Sequence, residues 1–93
     1  MRRQLLRSSF FVRAARQATK GDARVAGAIH AALTLLEQDA FHPHLRTHKL
    51  RGKLQGSWAC SAGYDLRVVF RFVELDGVET GLLESVGTHD EVY

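Results

Sequence analysis

Near the N-terminus apolar residues recur three and four positions apart, as on a helix face. Further on they recur every second position, as on a strand. Phe11, Ala14, Ala15 and Ala18 predict a helix over residues 10–20, with Ser8 or Ser9 as its N-cap. Gly21 stops it. Asp22 then caps a second helix whose stripe is Val25, Ala26, Ile29, Leu33 and Leu36, and which ends before Pro43 because a proline disfavours helical backbone in the residue preceding it. The short Gly-Asp junction makes the two an antiparallel hairpin. Ahead of them, residues 4–7 read as a short first strand.

The helical period is lost over residues 41–56, where Gly52 and Gly56 punctuate a basic connector. Beyond it Trp58, Cys60 and Ala62 alternate with Ala59 and Ser61, as a half-buried strand requires, and Gly63 marks a turn. Leu66, Val68, Phe70 and Phe72 then face one side, with Arg67, Val69 and Arg71 on the other. Asp76-Gly77 is a hairpin signal leading into a last strand over residues 78–86. The expected class is α+β: an N-terminal strand and a helical hairpin packed on one face of a small, mostly antiparallel sheet. No internal repeat, low-complexity tract or linker interrupts it.

Length and composition fit that architecture. A chain of 93 residues with 45% hydrophobic positions suits one domain spanning residues 1–93, with a single core that needs no staple. No apolar run approaches the ~20 residues that cross a bilayer, and the first seven residues break with charge too early for a signal-peptide core. A cytoplasmic protein without membrane contact is expected. Cys60, the sole cysteine, excludes an internal disulfide and reads as a small buried hydrophobe.

Charge matters more by its distribution than by its total. The net value is +3, yet every Lys and Arg lies at or before Arg71, while six of the ten acids fall between Glu74 and Glu91. Arg46, Lys49, Arg51 and Lys53 sit in a stretch with no acid between Asp39 and Asp65, so the approach of a phosphate polyanion is favoured there. Within that stretch lies His48, and a second isolated histidine, His89, follows the last strand. Metal-free RNA cleavage needs a base for the 2′-hydroxyl, an acid for the leaving 5′-oxygen and cations for the phosphorane. Histidine titrates in the right range for the first two, and the planar fork of arginine suits the third. Arg67 and Arg71, two apart on one strand, should share a face. His42, His44 and His48 lack a cysteine partner and have poor zinc spacing, so no metal is expected, and His30 reads as structural. No phosphate-binding glycine loop is present, so nucleotide hydrolysis is not implied.

Four segments, in order, carry a family resemblance. They are Thr47-His48-Lys49-Leu50-Arg51-Gly52-Lys53, then Gly56-Ser57-Trp58, then Tyr64-Asp65-Leu66-Arg67-Val68-Val69-Phe70, and finally Gly87-Thr88-His89-Asp90-Glu91-Val92-Tyr93. Together they resemble the RelE/StbE family of the RelE/ParE toxin superfamily, most closely its YafQ-like branch, over about half the chain. The resemblance implies a RelE-like fold and the toxin of a type II toxin–antitoxin pair, a ribosome-dependent endoribonuclease that enters the A site and cuts translated mRNA without a cofactor. His48 and His89 match the branch's active-site histidines, Asp65 its acidic residue and Tyr93 the aromatic that helps hold substrate. Arg67 matches a sheet arginine that contacts the scissile phosphate across the superfamily. Arg46, Lys49, Arg51, Lys53 and Arg71 would hold RNA. A cognate antitoxin is the expected protein partner. One departure stands out: Ser61 occupies the place of a further histidine in the branch. A ParE-like gyrase inhibitor and a non-catalytic RNA-binding or decayed toxin are the alternatives.

Overall fold

The computed structural model describes residues 2–93; Met1, which opens the segment read against a signal peptide, lies outside them. Five strands form one mixed sheet in the order β1-β5-β4-β3-β2: β1 Gln4–Arg7, β2 His48–Lys49, β3 Trp58–Ala62, β4 Leu66–Leu75 and β5 Val78–Thr88. β1 runs parallel to β5, and the other three pairings are antiparallel. Between β1 and β2 come two helices, α1 Ser9–Thr19 and α2 Ala23–Gln38. This is the α+β arrangement that the periodicity predicts.

Local chemistry sets the helix ends. Of the two candidate serines it is Ser8 that caps α1, its Oγ accepting from Phe11 N at 3.0 Å. Asp22 accepts from Arg24 N at 3.0 Å and Val25 N at 3.3 Å and so starts α2. Such caps contribute about 1 kcal/mol each. Phe11 from α1 and Ile29, Ala32, Leu33 and Leu36 from α2 pack onto Cys60, Ala62, Leu66, Val68, Phe70, Leu83 and Val86 of the sheet. All of these lie on one sheet face, so both helices cover the same side. Ala26, expected in the stripe, is exposed, and Ala32 is buried in the helix–sheet contact. Gly63, at φ +70°, closes the β3–β4 turn against α2: a Cβ there would come within 3.1 Å of the Ala28 Cβ.

Three regular features go beyond the sequence reading. The connector holds the two-residue edge strand β2 and 3-10 turns at Pro43–Leu45 and Gly52–Leu54. β5 runs on to Thr88 and is followed by a single helical turn, α3 His89–Val92. β5 also carries an extra residue: Val69 pairs with Ser85 and Phe70 with Leu83, which leaves Glu84 as a bulge. Because of that bulge both Leu83 and Val86 reach the core.

Candidate functional site

The sheet face away from the helices carries most of the residues singled out from the sequence. Side chains of directly paired residues share a face. His48 pairs with Ala59, Ala59 with Val69 and Val69 with Ser85, which makes one row across the sheet. Two residues along, Ser61, Arg67 and Gly87 make the next. With strands ~4.8 Å apart and ~3.4 Å per residue, His48 stands about 10 Å across and 7 Å along from Arg67. Arg67 thus lies between His48 on β2 and the β5 end that leads to His89.

The connector and α3 close over this face. Ala59 and Val69 are buried although they point away from the helices. Leu50, Arg51, Lys53, Leu54 and Tyr93 line one depression of about 300 Å³. α3 can lie down because position 87 has no side chain: a Cβ on Gly87 would meet the Glu91 Cβ at 3.1 Å. Thr88 starts the turn with a capping box, its N donating to Glu91 Oε1 at 2.8 Å while Glu91 N donates to its Oγ1 at 3.4 Å. This delivers His89 and Tyr93 together, rings edge to face with centroids 4.5 Å apart. Burial pushes the Tyr93 hydroxyl pKa up, with the Arg67 charge pulling it back and Cys60 adding to the rise.

Each candidate has a defined setting. His48 Nδ1 lies 2.9 Å from the Arg46 carbonyl. A carbonyl only accepts, so the contact places the proton on Nδ1 and leaves the Nε2 lone pair free to act as a base. His89 is exposed, with Asp90 Oδ1 3.5 Å from its Nδ1. Arg67, half-buried, donates from Nη1 to the Leu66 carbonyl at 2.9 Å. Asp65 sits exposed in the β3–β4 turn. Leu66, the next residue, pairs with Ala62 and with Thr88, so Asp65 lies at the Thr88 end of the sheet, while His48 pairs with Ala59, three residues before Ala62. Among the described residues no hydrogen bond joins any two of His48, Asp65, Arg67 and His89.

Two basic residues fall elsewhere. Lys49 pairs with Trp58 on the opposite face from His48, its Nζ 5.5 Å from the indole centroid. Arg71 shares the face of Arg67 but is engaged: Nε donates to Glu84 Oε2 at 3.2 Å and Nη2 to Ser57 Oγ at 3.2 Å, while Ser57 Oγ donates to Glu84 Oε1 at 2.6 Å. Its acid is therefore the bulge residue Glu84. Arg46 is exposed with left-handed backbone at φ 53° after the first 3-10 turn. Neither Ser57 nor Glu84 was singled out from the sequence. The signal was the run Leu82-Leu83-Glu84-Ser85-Val86, which breaks strict alternation where the bulge forms.

Cys60 lies on the helix side of β3 with no exposed surface, and burial pushes its thiol pKa up to about 12. It is held neutral and unreactive. Among the described residues no group of three or more His, Cys, Asp or Glu is placed to hold a metal ion. No helix among them is long and apolar enough to cross a membrane.

No protein-family model and no curated protein matches the chain. Solved structures do. YafQ from Escherichia coli BL21(DE3) superposes with a TM-score of 0.79 at 16% identity, over 98% of each chain. A YoeB/ParE toxin from Agrobacterium tumefaciens gives 0.75 at 16% identity, over 92% of this chain and 98% of its own. The E. coli DinJ–YafQ toxin–antitoxin complex gives 0.72 at 17% identity, over 100% of this chain and 99% of the matched one. At such identities the likeness concerns the fold, and it spans the whole chain: this protein has the α+β fold of the RelE/YafQ-like toxins, as its C-terminal motifs implied.

Proposed function

We propose that the protein is the toxin of a type II toxin–antitoxin pair and acts as a ribosome-dependent, metal-independent endoribonuclease on translated mRNA. The observation that carries this reading is the outer sheet face, where Arg67 lies between a strand histidine, His48, and the histidine–tyrosine turn of α3, under a connector bearing Arg51 and Lys53. A phosphate over Arg67 would be approached from both sides by proton-transfer groups.

In this reading His48 takes the 2′-hydroxyl proton through its free Nε2, and the oxygen attacks the adjacent phosphorus. Arg67 stabilises the phosphorane with its guanidinium fork. His89, beside Asp90, gives a proton to the departing 5′-oxygen, and Asp65 serves as the acidic residue of the site that the family resemblance implies. Tyr93 holds the substrate against the depression it lines with Arg51 and Lys53. Arg46, Arg51 and Lys53 bind RNA backbone on the ribosome. The products are a 2′,3′-cyclic phosphate and a free 5′-hydroxyl, and no cofactor is needed.

The fold shared with YafQ, which forms a complex with DinJ, supports a protein antitoxin as partner. Inducing the chain in a bacterial cell should stop growth, with primer extension showing discrete cuts inside translated messages. Inhibited gyrase supercoiling with intact messages would replace this reading by a ParE-like one.

A further inference from the structure

The connector separates two depressions, and the candidate site uses only one of them. Leu50 and Arg51 line both. On the far side lies a groove of about 710 Å³, which Lys49, Arg51, Gln55 and Trp58 help to line. Its lining contains no acid, and among the described residues neither Lys49 nor Arg51 forms an ion pair. The pleat of β2 sends Lys49 into this groove and away from His48.

One lining residue, Trp58, is aromatic, and it continues beyond the groove into an aromatic cluster. Trp58 is half-buried, and Phe41 meets it edge to face with centroids 5.5 Å apart. Phe72 backs both rings, at 5.4 Å from Trp58 and 6.1 Å from Phe41. Phe41 is 55% exposed, a large apolar surface that the core does not use. The ammonium of Lys49 stands 5.5 Å from the indole centroid. An aromatic surface beside an unneutralised ammonium matches the two parts of a nucleotide, a base that stacks and a phosphate that pairs.

We propose that this groove is a second subsite for single-stranded RNA, taking a base against the Trp58–Phe41 pair and a phosphate at Lys49, across the connector from the nucleotides over Arg67. The inference rests on the RNA-directed reading of the outer face and extends the bound strand around the β2 edge, with Arg51 reaching both sides. An acidic protein segment would satisfy Lys49 and Arg51 through its carboxylates alone, whereas a nucleotide uses the cations and the exposed ring surface together, and that combination favours RNA.

The test uses the full chain and fluorescent single-stranded 2′-O-methyl RNA, which cannot be cut by its own hydroxyl, so binding is read apart from cleavage. A short oligomer fills only the outer face, and a longer one also reaches the groove. The wild-type protein should bind the longer RNA more tightly, and Lys49→Met or Phe41→Ala should lower the long-to-short affinity ratio by about tenfold, the ~1.4 kcal/mol of one stacked base. Both positions are exposed, and melting curves confirm that the variants fold. Photo-crosslinking of 4-thiouridine RNA should label the peptides holding Phe41 or Trp58. An unchanged ratio in both variants, or an acidic peptide that occupies the groove while RNA labels only the Tyr93 side, overturns the assignment. A Lys49-dependent length gain in a protein that cuts no message on ribosomes removes the nuclease reading and leaves the subsite standing; cleavage without a length gain does the reverse.

Discussion

Arg71 and Glu84 form an ion pair across β4 and β5, Nε to Oε2 at 3.2 Å, closed into a ring by the buried hydroxyl of Ser57. A Cβ on Gly56, at φ +95°, would lie 3.9 Å from the Arg71 Nη1, so the ring sits directly beneath the end of the connector. Arg71 thereby holds the connector, its guanidinium engaged by Glu84 and Ser57. Both charged side chains are partly open to water, and the pair contributes about 1 kcal/mol at most.

Glu84→Gln should therefore cost little stability but release Arg71. If the freed guanidinium turns to phosphate, RNA binding tightens and the slope of log affinity against log salt steepens by about 0.7, as one added cation on a single strand requires. A titration over salt concentration measures it, and an unchanged slope would mean that Arg71 keeps its place under the connector.

His48→Gln and His89→Ala should each lower single-turnover cleavage on programmed ribosomes by about 10² or more, the typical contribution of a general acid or base. Ribosome affinity should hardly change, since neither side chain supplies a fixed cation. Full cleavage by the double variant would remove both from the reaction.

Charge reversal on the connector should act the other way. Arg51→Glu and Lys53→Glu should weaken ribosome binding and flatten its salt dependence by about 0.7 for each lost cation, while the rate of the bound complex stays close to wild type. A fall in the bound rate with unchanged affinity would assign these residues to the chemistry instead.

Ser61 is the cross-strand neighbour of Arg67 on the outer face. Ser61→His would put an imidazole beside the proposed phosphate position, with Gly87 offering no side chain on the other flank. Cleavage should rise by about tenfold or more if a third proton-transfer group assists. No rise in single-turnover rate, with the fold intact, would show that His48, His89 and Arg67 already suffice.

Cys60 gives a pH signature of the core. Its thiol ionises near 9.0 when exposed and near 12 in the fold, so the unfolded chain loses that proton first. The neutral, buried thiol supports the fold fully below pH 9, and this support falls as pH rises toward 12, by about 4 kcal/mol at ~1.4 kcal/mol per pH unit. Cys60→Ala should be less stable than wild type at neutral pH, and the gap in Tm should narrow steadily in alkali. A constant gap from pH 8 to pH 11 would contradict the buried, protonated thiol.

The sequence was enough for the helical hairpin, the three long strands and the face on which Arg67 and Arg71 stand, because caps, the Gly21-Asp22 and Asp76-Gly77 junctions and two-residue alternation are local signals. It also marked His48, His89 and Tyr93 through a resemblance carried by short motifs. Four arrangements were left to the tertiary structure. Register set Asp65 at the Thr88 end of the sheet, since the neighbours of a turn residue depend on how distant strands align. The short edge strand β2 sent His48 and Lys49 to opposite faces, which a basic run cannot reveal, because such a run reads the same as loop or strand. The β5 bulge turned Glu84 toward Arg71 and Ser57, and α3 folded back over Gly87 to set Tyr93 near Arg67. Each of these depends on contacts between segments far apart in the chain, where pleat and packing decide what a local pattern leaves open.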